Sequence, residues 1–511
     1  MKHLVSKFFI YGLSTVFVLT IIFSVNSIVN PVRAQNNKEL ADEDITVAVK
    51  NELKYDDGVQ AHLIDVETHD GIVTLSGSVA NILAKDRAEK LVGAIKGVKS
   101  IVNNIEVKSV NRTDEQIQRD VENALLRNPV TETYEVEVEV EDNKVILTGE
   151  VGSRAEKTLT EKVAKGIKGI QKFENNIDVE YEGDRTDSEI TEEIKRKLES
   201  SVWIDDALIE VNTLNGRVTL SGTVGSALEK SRVYNAAWVA GVKSVNDDNL
   251  EIEWWAHDNM RRQSKYAEKT DKEVKKAVKD AFIWDPRIVS FGIEVEADNG
   301  EVILKGVVDN YEAKRVAEED AKNTIGVVDV ENHLKVRPTI VITDEEITQK
   351  IKNALLVDPV LEQFDFNVNT INNKVYLYGR VNSLYEKNRA EDVASRQIGV
   401  VDVENKVRVD YDWERKADAA IKNDVEDQLF WSFAVDDDEI EVEVDNGIVI
   451  LGGKVDTKRE ENLAVKNAFD GGAKKVRNNL DVKYDYDWIE EGREYEWLDY
   501  QPYRYWPYYP W

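Results

Sequence analysis

The chain contains no cysteine among its 511 residues, and this absence removes several chemistries at once. It excludes disulfide bonds, thiolate metal sites, a cysteine nucleophile and a lipid anchor attached to an N-terminal cysteine. It does not assign the protein to an oxidising or a reducing compartment, because a chain without thiols survives in both.

Histidine is also scarce, with five residues in the chain. The four beyond position 34 (His62, His69, His257 and His333) have no helical ligand spacing, so we interpret them as surface side chains. Carboxylates are abundant, but no pattern pairs them with a base or a nucleophile. We therefore predict no catalytic residues, no metal site and no cofactor, and we predict that the protein is not an enzyme.

Long apolar runs are missing everywhere except at the start of the chain. Lys2 and Lys7 precede or flank the uncharged apolar stretch Phe8–Val25, and residues 32–34 (Val-Arg-Ala) place small side chains where a signal peptidase cleaves. This pattern predicts a secretory signal peptide over residues 1–34. The apolar stretch exceeds the usual ~7–15 residues, so an uncleaved N-terminal membrane anchor is the alternative.

Basic residues are too few to balance the acidic ones, with 67 Lys and Arg against 98 Asp and Glu and a net charge of −31. The first 34 residues hold three basic and no acidic side chains, so the remainder carries −34. Such a charge favours solubility and repels nucleic acid. We predict no nucleic-acid partner, although "GIKG" at 166–169 matches the GXXG loop of KH domains, because it occurs in one place only.

The chain does contain one pattern repeated six times. An alternating strand, a two-residue turn and a second apolar strand with a glycine recur at intervals of 72, 73, 84, 73 and 74 residues. The recurring glycines are Gly77, Gly149, Gly222, Gly306, Gly379 and Gly453. The longest interval contains an inserted polar segment, 256–268, which we interpret as a hinge between two halves of three copies.

The turn between the two strands uses only residue types that tolerate positive φ. Its pairs are Asp-Gly, Asp-Asn, Asn-Gly, Asn-Gly, Asn-Asn and Asn-Gly, which predict a type I′ turn in every copy. The second members of these pairs are Gly71, Asn143, Gly216, Gly300, Asn373 and Gly447. We assign these residues and the six recurring glycines structural roles, at the turn and at a bulge or close backbone approach where strand two meets the next helix, rather than a ligand loop.

Helical patterns lie before and after each hairpin. In the second copy Ile117, Val121, Ala124 and Leu125 share one face, and a Thr-x-x-Glu/Gln capping box opens this first helix in four copies. A short strand follows the second helix. We predict an α/β (α+β) fold class with six tandem α-β-β-α-β two-layer sandwich domains, each a small mixed three-stranded sheet with two helices on one face.

The predicted boundaries follow from these spacings. The signal peptide occupies 1–34, the linker 256–268 and an aromatic, proline-rich tail 487–511. The six repeats are predicted at 38–109, 111–182, 185–255, 269–338, 341–411 and 414–486.

The order of elements resembles the BON domain (bacterial OsmY and nodulation) over roughly residues 40–485. The resemblance rests on "L-x-G-x-V" after the hairpin and on a "G-V-x-x-V-x-N-x-I/L" exit, clearest in "VILTGEV" and "VYLYGRV". The third copy departs from it, because Asp247 and Asp248 replace the exit asparagine and one extra residue precedes Leu250. The resemblance implies an exported envelope protein, often periplasmic, with roles in osmotic stress protection and contact with phospholipid membranes. It implies no catalytic residues.

Two segments are candidate binding surfaces. The second helix of the second copy, within 154–168, carries five basic and two acidic residues, which suits a membrane or partner face as well as an ordinary solvated helix. Trp and Tyr in the tail suit interfaces that are half apolar and half wet, although the tail can also fold back onto the last domain. The candidate tail residues are Trp488, Trp497, Tyr503, Tyr505, Trp506, Tyr508, Tyr509 and Trp511.

These observations predict a non-enzymatic exported protein of the cell envelope. We predict that it binds membrane phospholipid or cell-wall surfaces and that, as the resemblance implies, it protects the envelope under osmotic stress. The alternative function is a periplasmic chaperone-like or assembly scaffold that binds other envelope proteins.

Overall fold

The computed structural model describes residues 40–181, 183, 185–256, 265, 269–410 and 416–482, together with the backbone of 497–499. The predicted signal peptide, most of the 256–268 segment and most of the aromatic tail lie outside these residues. The described residues belong to one compact unit, 40–511. None of their helices combines the length and the apolar character that crossing a bilayer requires.

Each copy opens with a helix of 14 residues, called helix one here. These helices are α1 (Asp42–Tyr55), α3 (Asp114–Arg127), α5 (Asp187–Ser200), α7 (Asp271–Trp284), α9 (Asp344–Val357) and α11 (Asp418–Trp431). Helix two follows the hairpin. The second helices are α2 (Ile82–Gly93), α4 (Arg154–Ala164), α6 (Ala227–Ala236), α8 (Tyr311–Lys322), α10 (Leu384–Ser395) and α12 (Lys458–Asp470).

The hairpin strands pair antiparallel, and a third strand pairs parallel to the second, so the second strand is central in every sheet. The hairpins are β1 (Ile64–His69) with β2 (Ile72–Val79), β5 (Glu135–Glu141) with β6 (Lys144–Val151), β9 (Ile209–Leu214) with β10 (Arg217–Val224), β12 (Ile293–Asp298) with β13 (Glu301–Val308), β15 (Phe366–Ile371) with β16 (Lys374–Val381), and β19 (Ile440–Asp445) with β20 (Ile448–Val455).

The third strand is continuous in three copies and split in the other three. It comprises β3 (Ser100–Asn103) and β4 (Glu106–Val107), β7 (Lys172–Asn175) and β8 (Asp178–Val179), β11 (Ser244–Ile252), β14 (Asp329–Val336), β17 (Asp402–Asn405) and β18 (Arg408–Val409), and β21 (Lys475–Val482). The extra residue of the third copy appears as a register shift between Thr219 and Ser221, where β10 pairs with β11. The predicted fold class is confirmed, with both helices packed on one face of each mixed sheet.

Local sequence explains why helix one forms and which face it buries. In α3 the Thr113 side chain accepts the Gln116 N–H and the Gln116 side chain accepts the Thr113 N–H, so two N–H groups at the helix start are satisfied. Ile117, Val121 and Leu125 on its inner face are buried. Strand β5 alternates exposed glutamate with half-buried valine, as a sheet with one wet face requires.

A carboxylate at the first position of helix one holds the hairpin turn. Asp187 accepts the N–H groups of Asn215 (2.7 Å) and Gly216 (2.8 Å), and both turn residues have positive φ, 55° and 75°. These two hydrogen bonds lower the pKa of Asp187. The residues equivalent to Asp187 are Asp42, Asp114, Asp271, Asp344 and Asp418, and each accepts at least one turn N–H. Helix one and the hairpin are therefore locked together in every copy.

The recurring glycine marks a close backbone approach at the start of the hairpin. At Gly222 φ is 113°, and a Cβ would lie 1.9 Å from the Leu208 carbonyl oxygen, just before β9. The approach is therefore to the chain entering strand one, not to helix two. Gly379 is the exception, with ordinary φ and a Cβ position 3.0 Å from the Asp365 carbonyl oxygen.

Replacing Gly300 tests the turn geometry. Gly300 has φ of 80°, so we expect Gly300→Val to lower the free energy of unfolding by roughly 1–3 kcal/mol, because a β-branched residue is strained there. Gly300→Asn is the matched control, because Asn143 and Asn373 occupy the same turn position at φ of 59° and 63°. Denaturant unfolding measures both variants. Equal stability of the Val and Asn variants would contradict the turn assignment.

Candidate functional site

The six copies pair through the C-terminal ends of helix one. The last carbonyl oxygen of a helix has no partner within that helix, and here it accepts an N–H from the turn after helix two of another copy. The four bonds are Lys96 N to Trp431 O (3.1 Å), Lys168 N to Val357 O (2.8 Å), Ile325 N to Ser200 O (2.8 Å) and Ile398 N to Arg127 O (3.2 Å). They join copy 1 with 6, copy 2 with 5 and copy 3 with 4. The tetrapeptide "GIKG" is thus part of a contact between copies.

This pairing overturns the interpretation of 256–268 as a hinge. The two halves of the chain contact each other in all three pairs, so the segment connects halves that already touch. Lys265, which lies within the segment, is buried against copy 3. Its ammonium group donates to the Leu198 carbonyl oxygen (3.0 Å) and pairs with Asp206 (2.9 Å).

Second helices also contact one another among copies 1, 2 and 3. Lys165 at the end of α4 pairs with Asp86 in α2 at 2.8 Å. Arg154 at the start of α4 lies over the Trp238 ring that follows α6, at 5.4 Å. A Cβ at Gly93 of α2 would lie 3.3 Å from the Leu228 N of α6. Each of the three helices therefore contacts the other two.

These contacts use the basic residues that made 154–168 a candidate surface. Lys165 and Arg154 lie between copies, and Lys168 pairs with Glu362 of copy 5 at 2.8 Å. Lys157 donates to the Ile177 carbonyl oxygen at 2.6 Å. The excess positive charge of this segment serves contacts within the chain, and it is not presented as a free basic face.

A different helix presents an open basic stripe. Helix α7 has four lysines against three acidic residues, whereas the other five first helices carry net charges of −1 to −3. Lys272, Lys276 and Lys279 are exposed and are spaced so that they lie along one side of the helix, and Lys276 also pairs with Asp280 of the same helix at 2.5 Å. Ile283 continues that side and is 68% exposed. The opposite side of α7 packs in the protein, with Val278 and Phe282 buried.

An apolar loop follows α7 directly in the chain. The eight residues before and into β12, "PRIVSFGI" (286–293), contain no acidic residue, whereas the equivalent segments of the other copies all do. Val289 is 59% exposed and Phe291 is fully exposed. Arg287 fixes the base of the loop, because its guanidinium is buried and pairs with Asp285 at 2.5 Å. We call Lys272, Lys276, Lys279, Ile283, Val289 and Phe291 the α7 surface.

Comparison with protein families matches the BON domain six times, over residues 41–109, 113–181, 186–253, 270–338, 343–411 and 417–484. The chain belongs to the BON-domain family. Osmotically-inducible protein Y of Escherichia coli K12 is 28% identical over 143 residues, which are 27% of this chain and 71% of that protein. Outer membrane lipoprotein DolP of Haemophilus influenzae is 33% identical over 135 residues, 25% of this chain and 69% of DolP.

Among solved structures, CdsD, a structural protein of the type III secretion system of Chlamydia trachomatis, matches 41% of this chain and 90% of its own. The identity is 17% and the TM-score is 0.12, so the likeness carries no argument about function.

The tail contributes one element to the sixth BON copy. Residues Trp497–Asp499 form β22, which pairs antiparallel with β21, so that Trp497 faces Arg477 in the ladder. The other tail candidates, Trp488, Tyr503, Tyr505, Trp506, Tyr508, Tyr509 and Trp511, lie outside the described residues. Part of the tail backbone therefore does fold back onto the last domain.

Asp42, His69 and Asp70 of the first BON copy come close enough together to hold a metal ion. Both oxygens of Asp42 already accept turn N–H groups, at 2.8 and 2.9 Å, and His69 and Asp70 are exposed. In the other BON copies, the aspartate equivalent to Asp42 accepts turn N–H groups in the same way, and no histidine occupies the position of His69.

A buried acidic group lies where BON copies 1 and 6 meet. Burial raises the pKa of Asp470 to about 7, with smaller contributions in the same direction from Glu52 and Asp56 of copy 1 and against the opposing effect of Lys466. Lys466 lies 3.7 Å from Glu52 in the ion pair across the contact. Because the pKa of Asp470 in the folded protein exceeds its ordinary value, the associated stability is present at low pH and is lost as pH rises through about 7.

Asp470→Asn tests this linkage. We expect the melting temperature of the wild-type chain to fall between pH 5 and pH 8, because ionised Asp470 is poorly solvated in the contact. In the Asn variant the melting temperature should fall much less over this range. Asp298→Asn, at an exposed acidic residue of copy 4, should show the same fall as the wild type. Calorimetry at matched ionic strength measures the effect. An unchanged pH profile in Asp470→Asn would show that other groups control it.

Proposed function

We propose that the protein is a non-enzymatic component of the bacterial cell envelope that binds anionic phospholipid surfaces through BON copy 4. The observation that carries this proposal is the α7 surface, which combines an exposed lysine stripe with fully exposed Phe291 in an otherwise acidic chain. Support for the envelope comes from the family and from the relative named an outer membrane lipoprotein. Protection under osmotic stress fits the relative named osmotically inducible.

Electrostatics and burial act together at such a surface. Each lysine near an anionic membrane contributes about 1 kcal/mol, and the attraction extends only about a Debye length, ~8 Å at physiological salt. The net negative charge elsewhere in the chain is therefore largely screened from the membrane. Burying an exposed phenylalanine side chain in the interface adds about 1.5–3 kcal/mol. The lysines orient the α7 surface towards the headgroups, and Phe291 and Val289 then insert.

Removing the lysine stripe tests the electrostatic part. Lys272→Gln, Lys276→Gln and Lys279→Gln together should weaken binding to phosphatidylglycerol-containing vesicles by roughly 100-fold, at about 1 kcal/mol per lysine. The matched control is Lys350→Gln, Lys352→Gln and Lys422→Gln, which changes the charge equally on the first helices of copies 5 and 6. Vesicle co-sedimentation of the chain without residues 1–34 measures both. Equal losses in the two triple variants would attribute binding to net charge alone.

Removing the aromatic side chain tests the apolar part. Phe291→Ser should weaken vesicle binding about 10-fold or more, and the remaining binding should become more sensitive to salt. Val341→Ser is the control, because Val341 is also fully exposed but lies outside the α7 surface. An equal effect of the two serine substitutions, or none, would contradict insertion of the loop.

The aromatic tail is a second candidate anchor. Trp488, Trp497, Trp506 and Trp511 with the neighbouring tyrosines suit an interface that is half apolar and half wet. We expect deletion of 488–511 to reduce partitioning onto vesicles or isolated cell wall even at high salt, because ring burial is not screened. If deletion leaves both partitions unchanged, β22 serves only to complete the last sheet. Retention of partner proteins but no lipid would favour the scaffold alternative.

A further inference from the structure

The sheet of copy 5 carries two tyrosines on the face that its helices do not cover. Tyr376 and Tyr378 lie on the central strand β16, and their neighbours Val375 and Leu377 point the other way, into the core of the copy. Tyr378 is 41% exposed and Tyr376 is half-buried. The equivalent positions in the other copies hold no aromatic residue; they are occupied by Thr74 and Ser76, Ile146 and Thr148, Thr219 and Ser221, Ile303 and Lys305, and Ile450 and Gly452. Five sheets form without these rings, so the fold does not require them.

Amide side chains flank the rings on the side of strand β15. Asn369 lies opposite Tyr376 and Asn367 lies opposite Tyr378 in the antiparallel ladder, and both asparagines are exposed. Their amides form no hydrogen bond within the described part of the chain. In copies 1, 2, 4 and 6 both positions are acidic, with Asp65 and Glu67, Glu137 and Glu139, Glu294 and Glu296, and Glu441 and Glu443. Copy 5 thus presents neutral groups that both donate and accept hydrogen bonds where most copies present charge.

Charged side chains flank the rings on the side of strand β17, and they pair with one another. Lys374 pairs with Asp402 at 2.8 Å and with Glu404 at 3.2 Å, and Glu404 also pairs with Lys406 at 3.0 Å. The ammonium groups of Lys374 and Lys406 lie 5.5 and 5.6 Å from the centre of the Tyr376 ring. Two positive and two negative side chains therefore hold the ring in place, and their charges cancel.

The same balance continues along the strand towards its end. Arg380 pairs with Asp410 at 2.6 Å, and Arg408, opposite Arg380 in the parallel ladder, adds one positive charge at the far end of this face. The surroundings of the rings are thus nearly neutral in a chain with a net charge of −31. A ligand without charge is the one that this face suits.

A sugar ring has the matching chemistry. One face of a pyranose presents C–H groups, whose partial positive charge suits the negative face of an aromatic ring, and the hydroxyl groups at its rim need donors and acceptors beside that ring. Tyr376 and Tyr378 are two residues apart on one strand, about 6.8 Å along its axis. Two rings at this spacing can contact successive sugars of one chain.

We propose that this face of copy 5 binds uncharged oligosaccharide chains of the kind that form the glycan of a cell wall. Tyr376 and Tyr378 stack on successive sugars, Asn367 and Asn369 hydrogen-bond the hydroxyl groups on one side, and the ion-paired Lys406 does so on the other. The face belongs to copy 5 and the α7 surface to copy 4, so failure of either proposal leaves the other intact.

The probes are chitohexaose and cellohexaose, titrated calorimetrically into the chain without residues 1–34. We expect at least one of them to bind, with an affinity that changes less than about 2-fold between ~0.05 and ~0.5 M salt, because the contact involves no ionic ligand. Tighter binding of chitohexaose would assign recognition to the acetamido groups of a cell-wall glycan, and equal binding would assign it to the sugar rings alone. No binding of either probe, or binding that is lost at the higher salt, would overturn the proposal.

Replacing both tyrosines tests the stacking. Tyr376→Thr with Tyr378→Ser gives copy 5 the Thr-x-Ser pattern of copies 1 and 3, so the variant should fold and should lose at least about 10-fold in affinity for the preferred probe. Ile146→Thr with Thr148→Ser, which creates the same pattern in copy 2, is the control and should bind as the wild type does. Full affinity in the copy 5 variant, or an equal loss in the control, would overturn the site. A loss of vesicle binding with full sugar binding would overturn it in favour of a lipid contact.

Replacing both asparagines tests the hydrogen bonds. Asn367→Glu with Asn369→Glu gives copy 5 the acidic residues of copies 2, 4 and 6, so the melting temperature should change little. Affinity for the preferred probe should fall about 5-fold or more, because carboxylates accept hydrogen bonds but do not donate them. Unchanged affinity would overturn the contacts assigned to the two amides.

Discussion

A helix leaves its last carbonyl oxygens without partners of its own, and this constraint determines how the six copies assemble. In each pair, a backbone N–H just before a glycine of one copy satisfies the final carbonyl oxygen of helix one in another. A unit of about 70 residues buries only a marginal core alone. The pairing extends that core, because Val357 of copy 5 and Trp431 of copy 6 pack against the continuous core of copies 1 and 2. The copies are therefore parts of one packed body and not independent beads.

Local sequence was sufficient to predict the repeated fold, because its signals act within a few residues. Thr113 and Gln116 cap one helix by themselves, and an Asn-Gly pair favours a type I′ turn through its own backbone preferences. The contact between Lys168 N and Val357 O leaves no such signal, because any residue supplies a backbone N–H and any residue a carbonyl oxygen. The role of Asp187 was readable in principle. An aspartate opens helix one in all six copies, 28 residues before the turn that it holds.

The net charge of a segment did not predict which basic side chains are exposed to solvent. The segment 154–168 has the larger positive excess in the sequence, yet Lys165 and Lys168 meet acidic residues of other copies. Helix α7 has an excess of one, but Lys272, Lys276 and Lys279 are exposed to solvent, Lys276 pairs with Asp280 of its own helix and not with another copy, and an acid-free loop follows the helix. The spacing of Lys272, Lys276 and Lys279 was visible in the sequence. The exposure of Phe291 was not, because an apolar loop residue is equally compatible with a buried position.

The nested order of the pairs has a consequence for how the chain acquires its structure. The ion pair between Lys96 and Asp437 joins residues 341 positions apart, whereas copies 3 and 4 are neighbours along the chain. As synthesis proceeds from the N-terminus, the central pair closes first, the 2:5 pair second and the 1:6 pair last. Loop closure over such separations is slow. The apolar surface of an unpaired copy therefore stays exposed until its partner copy has been synthesised. Copy 1, the first made, is the last to be completed, so a chain interrupted after copy 5 carries an unmatched first domain open to aggregation.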